Sequence, residues 1–236
     1  MLKTSFSEIE CQMGVFLLQS PSTNPNLIVM AYQEPNHQEG KFPNQMFQIW
    51  NKHGRGRRPQ NFDFAASMEV NRARSKISWS IPSQESLELI SSYGKIIEVA
   101  CGTGYWANLL KQYGADIIAV DPLVEGNGFT FFPEGIQAEA DTYLKENKGC
   151  PDRTLFVSWP RDNLIQEYKG DTIIWIGEGG DGCTWNMENE SEWEAVKSVW
   201  IPTFYGLHDY LKVYKRKLVE EGWTKVESKK SRKHRK

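Results

Sequence analysis

The sequence predicts an α/β protein: a doubly wound, mostly parallel sheet of about seven strands, with an antiparallel C-terminal hairpin and an irregular N-terminal extension. Three observations carry this expectation. From Ile81 onward, short continuous apolar runs alternate with segments of helical periodicity, and continuous runs are what strands buried on both faces require. A glycine loop opens directly from the first of these runs. The last apolar segment, Tyr210–Arg216, instead alternates apolar with polar residues behind a turn at Gly206, as a hairpin partner does.

Residues 1–75 hold short apolar runs (Val15–Leu18, Leu27–Tyr32 and Met46–Trp50) between segments rich in Pro, Asn and Gly, with one helix expected over Phe64–Lys76. The run Gly54-Arg55-Gly56-Arg57-Arg58-Pro59 reads as an exposed loop, with phosphate contact as its functional alternative. Pro82 and Ser83 mark a helix start, and Leu87, Ile90 and Tyr93 supply its apolar side. Lys95–Ala100 is a strand. The helix after it carries Trp106, Leu109, Leu110 and Tyr113 at i, i+3, i+4 and i+7, and Gly114 closes it. A second strand covers Asp116–Asp121, a third lies near Gly135–Ala138, and a helix follows over Asp141–Lys148.

Thr154–Trp159 and Asp171–Gly177 are two more continuous strands, with Leu164, Ile165 and Tyr168 fitting a short helix between them. Trp193, Val196 and Trp200 share one side of a helix expected over Glu190–Trp200, and Ile201–Phe204 pairs with Tyr210–Arg216 across the closing turn. The chain therefore divides into an extension or lid over 1–76, a ligand-binding domain over 77–217 and a basic tail over 218–236.

At 39% hydrophobic residues over 236 positions, the chain has the material for a real core, which excludes global disorder. Cys11, Cys101, Cys150 and Cys183 form no paired motif, so reduced thiols are expected and no metal site. No apolar run approaches the roughly 20 residues that span a bilayer. The reading is a soluble, cytoplasmic protein, with nuclear import through the tail KKSRKHRK as the alternative. Residues 212–236 hold eleven Lys/Arg against three Glu, which leaves 17 basic and 27 acidic groups on the remaining 211 residues. An acidic body is not the surface of a dedicated duplex-binding domain.

The chemistry concentrates in residues 96–122. The first strand ends Ile96-Ile97-Glu98-Val99-Ala100 and is followed by Cys101-Gly102-Thr103-Gly104-Tyr105-Trp106, and the second strand ends in Asp121. Glycines at 102 and 104 let the backbone turn sharply and approach a ligand, and an acid at 121 is placed to accept from both ribose hydroxyls. Counted from Gly102, the third position of a dinucleotide fingerprint is Ala107, which its looser form allows. Glu98 tilts the choice. A carboxylate is poorly placed beside a pyrophosphate and suits a ligand with a cationic amino-acid portion.

The pattern EVACGTGYW followed by AVDP resembles the first two motifs of class I S-adenosylmethionine-dependent methyltransferases, most strongly over 96–122. The stretch from Trp79-Ser80-Ile81-Pro82, with the later RTLFVSWP, GDTIIWIGE, GDGCT and GLHD, resembles an uncharacterised subgroup of them. The resemblance implies the class I methyltransferase fold, with S-adenosylmethionine as the cofactor. It implies that Glu98, Ala100, Gly102 and Gly104 wrap the methionine moiety and that Asp121 holds the ribose, with Thr103, Tyr105, Trp106 and Pro122 as further cofactor-binding residues. Ala138, Glu139 and Asp141 are the candidates to lie near the adenine. Ala100 departs from the glycine many members carry there.

On the acceptor side, Ser158-Trp159-Pro160 stands where amino-group methyltransferases carry N/D-P-P-Y/F and keeps only the proline, which argues against adenine-N6 and glutamine-N5 acceptors. Ser158, Trp159, Glu178 and His208 are the candidate catalytic residues, with Asp181 a further possible base and Trp79 part of a lid. The expected activity is methyl transfer by in-line displacement to an unidentified small molecule or protein. The alternatives are RNA as acceptor, a non-catalytic partner protein of the same fold, and an NAD-dependent oxidoreductase. Oligomeric state is not legible.

Overall fold

The computed structural model describes residues 36–53, 63–123, 128–179 and 182–217. The apolar runs before residue 36, the arginine-rich loop at 54–59, Asp181 and the tail from 218 lie outside the described residues.

Seven strands form one sheet: β1 (Lys95–Val99), β2 (Asp116–Asp121), β3 (Ile136–Gln137), β4 (Thr154–Ser158), β5 (Thr172–Glu178), β6 (Trp193–Trp200) and β7 (Asp209–Arg216). Their order is β3-β2-β1-β4-β5-β7-β6. The first five pair in parallel, and β7 enters antiparallel beside β5 with β6 on its outer edge. The doubly wound sheet with an antiparallel hairpin is thus the observed fold.

Alternate residues of the central strands feed two cores. Ile96, Phe156, Ile174, Ile176, Leu211 and Val213 pack under α1 (Gln45–His53), α3 (Gln84–Ser91) and α4 (Tyr105–Gln112). Ile97, Val99, Leu155, Val157, Ile173 and Trp175 face the other way, towards α5 (Ala140–Glu146). That two-sided burial is why these strands read as unbroken apolar runs. The run Met46–Trp50 is the inner side of α1, with Met46, Phe47, Ile49 and Trp50 all buried in the first core. Helix α2 (Phe64–Lys76) starts on an Asp63 cap that accepts from Ala66 N–H, and α3 starts on a reciprocal Ser83–Ser86 capping box. Among the described residues no helix is long and apolar enough to cross a membrane.

Two expected helices are corrected. Residues 193–200 form strand β6, not a helix. A bulge between Ala195 and Lys197 inserts Val196 into the pairing with β7. With that residue out of the count, Trp193 and Trp200 fall on the same side of a strand, which is how a strand came to show helical spacing. The hairpin is accordingly β6–β7, and Ile201–Phe204 belongs to its connection. Between β4 and β5, Leu164–Tyr168 is a turn rather than a helix. Asn163 caps Ile165 N–H, and the buried Tyr168 hydroxyl accepts from Leu155 N–H, so side chains hold this crossover in place of a helical ladder.

Candidate functional site

Strand order reverses at β1, whose neighbours β2 and β4 are reached by connections running in opposite directions. In such sheets the crevice beyond the carboxyl ends of those strands is the natural ligand position. A cavity of about 160 Å³ lies there. Glu98 and Ala100 from β1, the loop Cys101–Thr103, Tyr105 and Trp106 from α4, and Ser158 and Trp159 from β4 line it. Arg74, Ser75, Ile77, Ser78 and Trp79, from α2 and the turn behind it, form the remaining wall.

The loop after β1 is bent tightly. Ala100, Gly102 and Gly104 all adopt left-handed backbone, with φ of 54°, 54° and 74°. Ala100 occupies a conformation natural to glycine and therefore carries local strain, of the order of 1 kcal/mol. Among the described residues a Cβ at Gly102 would meet nothing within 4 Å, so they leave that side of the loop open. At Gly104 a Cβ would stand 2.4 Å from Phe132 Cβ, so this glycine serves close packing. Asp121 braces the loop: one carboxylate oxygen accepts from Gly102 N–H at 2.8 Å, the other from Leu123 N–H at 2.7 Å.

Glu98 is the unusual residue. It is 2% exposed, and Oε2 has no hydrogen-bond partner among the described residues. Burial pushes its carboxyl well above the ordinary range; the Ala107 N–H opposes this, and the nearby Asp121 carboxylate adds to it. Burial likewise pushes the Cys101 thiol up, helped by the same two carboxylates, which disfavours its thiolate. A buried carboxyl with an unused oxygen at the wall of a cavity is a site for a cation or a donor.

The opposite wall is aromatic. Trp79 and Trp159 stack with ring centroids 5.1 Å apart, and the Arg74 guanidinium lies 4.5 Å over the Trp79 ring. Trp159 is itself left-handed at φ 54°, and its indole N–H donates to Asp209 Oδ1 at 3.0 Å. Stack and hydrogen bond together hold that strained backbone.

Of the residues expected at the site, Glu98, Ala100, Gly102, Thr103, Tyr105, Trp106, Ser158 and Trp159 are brought together around the cavity. Gly104 and Asp121 shape its loop from behind. Pro122, Ala138 and Glu139 sit at the ends of β2 and β3, outside the lining. Glu178 is also outside it: its two oxygens accept from His208 N–H at 3.2 Å and Cys183 N–H at 2.9 Å. The His208 side chain is exposed and away from the lining. Arg74 is not legible as a site residue, because nothing in the spacing of α2 tells that its end reaches the β1–β4 crevice. Of the adjacent His208 and Asp209, the buried aspartate is the member that reaches the site, through Trp159.

No family model matches this chain, and no curated protein matches it. Among solved structures, the chain is similar to magnesium protoporphyrin IX methyltransferase from Synechocystis with bound S-adenosylmethionine, at 10% identity and a TM-score of 0.42, covering 73% of this chain and 92% of that one. It is also similar to a SAM-dependent methyltransferase from Anabaena variabilis, at 10% identity and a TM-score of 0.38, covering 78% and 100% respectively.

Proposed function

We propose that this chain is an S-adenosylmethionine-dependent methyltransferase, and that the cavity at the ends of β1 and β4 receives the amino-acid end of that methyl donor. One observation carries the reading: Glu98 Oε2, buried and without a partner among the described residues, at the wall of the cavity. An ammonium group satisfies it, whereas the phosphates of a dinucleotide would meet a carboxylate there. The open side of Gly102 admits a ligand to the loop. When bound, the donor supplies an electrophilic methyl group on a sulfonium.

The protein's part in an in-line displacement is then to position and to exclude water. Trp159 and Trp79 close the cavity on its aromatic side and form the wall past which the acceptor would enter. Among the described residues Glu98 is the one carboxyl in the lining, and in this reading it is committed to the donor, which suits an acceptor whose lone pair is already available. We propose a small molecule or a protein side chain as that acceptor.

Titration calorimetry tests the donor: S-adenosylmethionine and S-adenosylhomocysteine are expected to bind and NAD not to, and binding of NAD alone would overturn the reading. Burial raises the Glu98 carboxyl and an ammonium beside it lowers it again, so binding of a cationic ligand releases protons. Affinity is therefore expected to rise with pH. Transfer of labelled methyl groups into fractionated lysate identifies the acceptor class.

A further inference from the structure

Three polar side chains from three elements meet beside the cavity, and together they fix the direction of their hydrogens. Trp106 Nε1, on α4, donates to Ser80 Oγ at 2.9 Å. Ser80 Oγ in turn lies 2.7 Å from Ser158 Oγ, at the end of β4. Ser80 has no exposed surface, so solvent does not reach its hydroxyl. An indole N–H only donates, so it takes a lone pair of Ser80 and leaves the single hydroxyl hydrogen still to be placed. Among the described residues the other neighbour of that oxygen is Ser158 Oγ, which must accept it. The opposite arrangement, Ser158 donating inward, would strand the Ser80 hydrogen in a dry interior. The chain therefore runs from Trp106 N–H to Ser80 O–H to Ser158 O–H. Ser158 keeps its own hydrogen to offer outward.

Ser158 lines the cavity, as Glu98 does. The β1–β4 register sets Glu98 beside Phe156, so Glu98 and Ser158, two residues further on, project from the same face of adjacent strands. We infer that Ser158 is a directed hydrogen-bond donor that holds the carboxylate of the ligand's amino-acid end while Glu98 holds its ammonium. This rests on the cofactor reading above. A carboxylate only accepts, so it needs a hydroxyl whose hydrogen faces it, and the Ser80 bond turns the Ser158 hydrogen that way. The resulting bond is charge-assisted, and the two bonds behind it polarise it further. Arg74 adds a cation to the same lining. The wall thus offers an acceptor, a donor and a positive charge, the complement of a zwitterion. The methyl acceptor is a poorer occupant of this position, because a donor bonded to its reacting atom would draw on the lone pair that attacks.

The test is calorimetric binding of two probes, S-adenosylmethionine and its decarboxylated form, which keeps the ammonium, sulfonium and nucleoside. Ser158→Ala is expected to weaken the first by about tenfold, the size of one hydrogen bond to a charged group, and the second by less than about twofold. Ser80→Ala, which frees the direction of the Ser158 hydroxyl, should give a smaller loss confined to the carboxylate-bearing probe. Glu98→Gln should weaken both. Thermal melts establish that each variant is folded, and if Ser158→Ala is not, the Ser80→Ala pair decides. Equal weakening of both probes, or no weakening of either, overturns the inference and leaves the cofactor reading standing. Failure of the wild-type protein to bind S-adenosylmethionine overturns both.

Discussion

Two glutamates end buried strands in this protein, and they do opposite things. Glu98 near the end of β1 is 2% exposed and Glu178 at the end of β5 is 6% exposed, and each precedes a glycine-bearing loop. Glu178 is fully engaged. Its oxygens take the N–H groups of His208 and Cys183, and Thr184 Oγ1 accepts from its N–H and donates to its carbonyl. It ties the loops at that end of the sheet together. Glu98 instead leaves Oε2 unpartnered among the described residues, at the wall of a cavity. Burial and residue type are shared, so they do not mark function. What separates the two is whether the protein has already used the group's valences.

The largest effect is expected from testing whether the β1 end is a rigid frame. Gly104→Val places a branched side chain where a Cβ already stands 2.4 Å from Phe132 Cβ and 3.2 Å from its backbone N, at φ 74°. The expected loss is about 3 kcal/mol or more of stability, with cofactor binding abolished, read by denaturant unfolding and calorimetry. A variant that folds normally and binds would mean that the loop adapts, and that Glu98 is not held in place by it.

The glutamates themselves give the next largest effect. Glu98→Gln removes a carboxyl that is costly to ionise, so the melting temperature should hold or rise while S-adenosylmethionine affinity falls by about tenfold. Glu178→Ala strands two backbone N–H groups and should cost about 1–3 kcal/mol for each left buried, with affinity changed by less than about twofold. The reversed pattern, with Glu178 carrying affinity and Glu98 stability, would break the comparison.

How much of this was legible follows the range of the signals. The glycine loop, Glu98 and Asp121 lie within one strand–loop–helix–strand unit, where spacing alone fixes geometry; the loop and Glu98 line one crevice, and Asp121 braces the loop from behind. Continuous apolar runs located β1, β2, β4 and β5, because two-sided burial is written in composition. β6 was not legible as a strand, since the bulge at Val196 breaks the two-residue period. The hydroxyl chain of Ser80 and Ser158 joins residues 78 apart in sequence, and Trp159 meets Asp209 across 50. No local pattern encodes such contacts. His208 drew attention by its chemistry, yet its backbone is what the structure uses, as a donor to Glu178.

Asp209 sharpens the comparison by standing between the two glutamates. Its Oδ1 accepts from Trp159 Nε1, its Oδ2 has no partner among the described residues, and it does not line the cavity. If an unused oxygen marks a ligand only where a cavity reaches it, Asp209 should affect stability and not binding. Burial pushes its carboxyl up to about 7; the Trp159 bond opposes this, Glu178 adds to it, and Arg74 opposes it. An acid raised in the folded state is stabilising while protonated in both states, so its contribution is fully present below about 4 and is lost as pH rises to about 7. Glu98 adds a slope of the same sign. Asp209→Asn keeps an oxygen for Trp159 and should flatten the fall in melting temperature between about pH 4 and 7 by a few degrees, with S-adenosylmethionine affinity within about twofold of wild type. An unchanged slope would mean that Asp209 is ionised when buried, held by Arg74 more strongly than by its surroundings. Loss of affinity would instead place Asp209, through Trp159, among the groups that form the donor's wall.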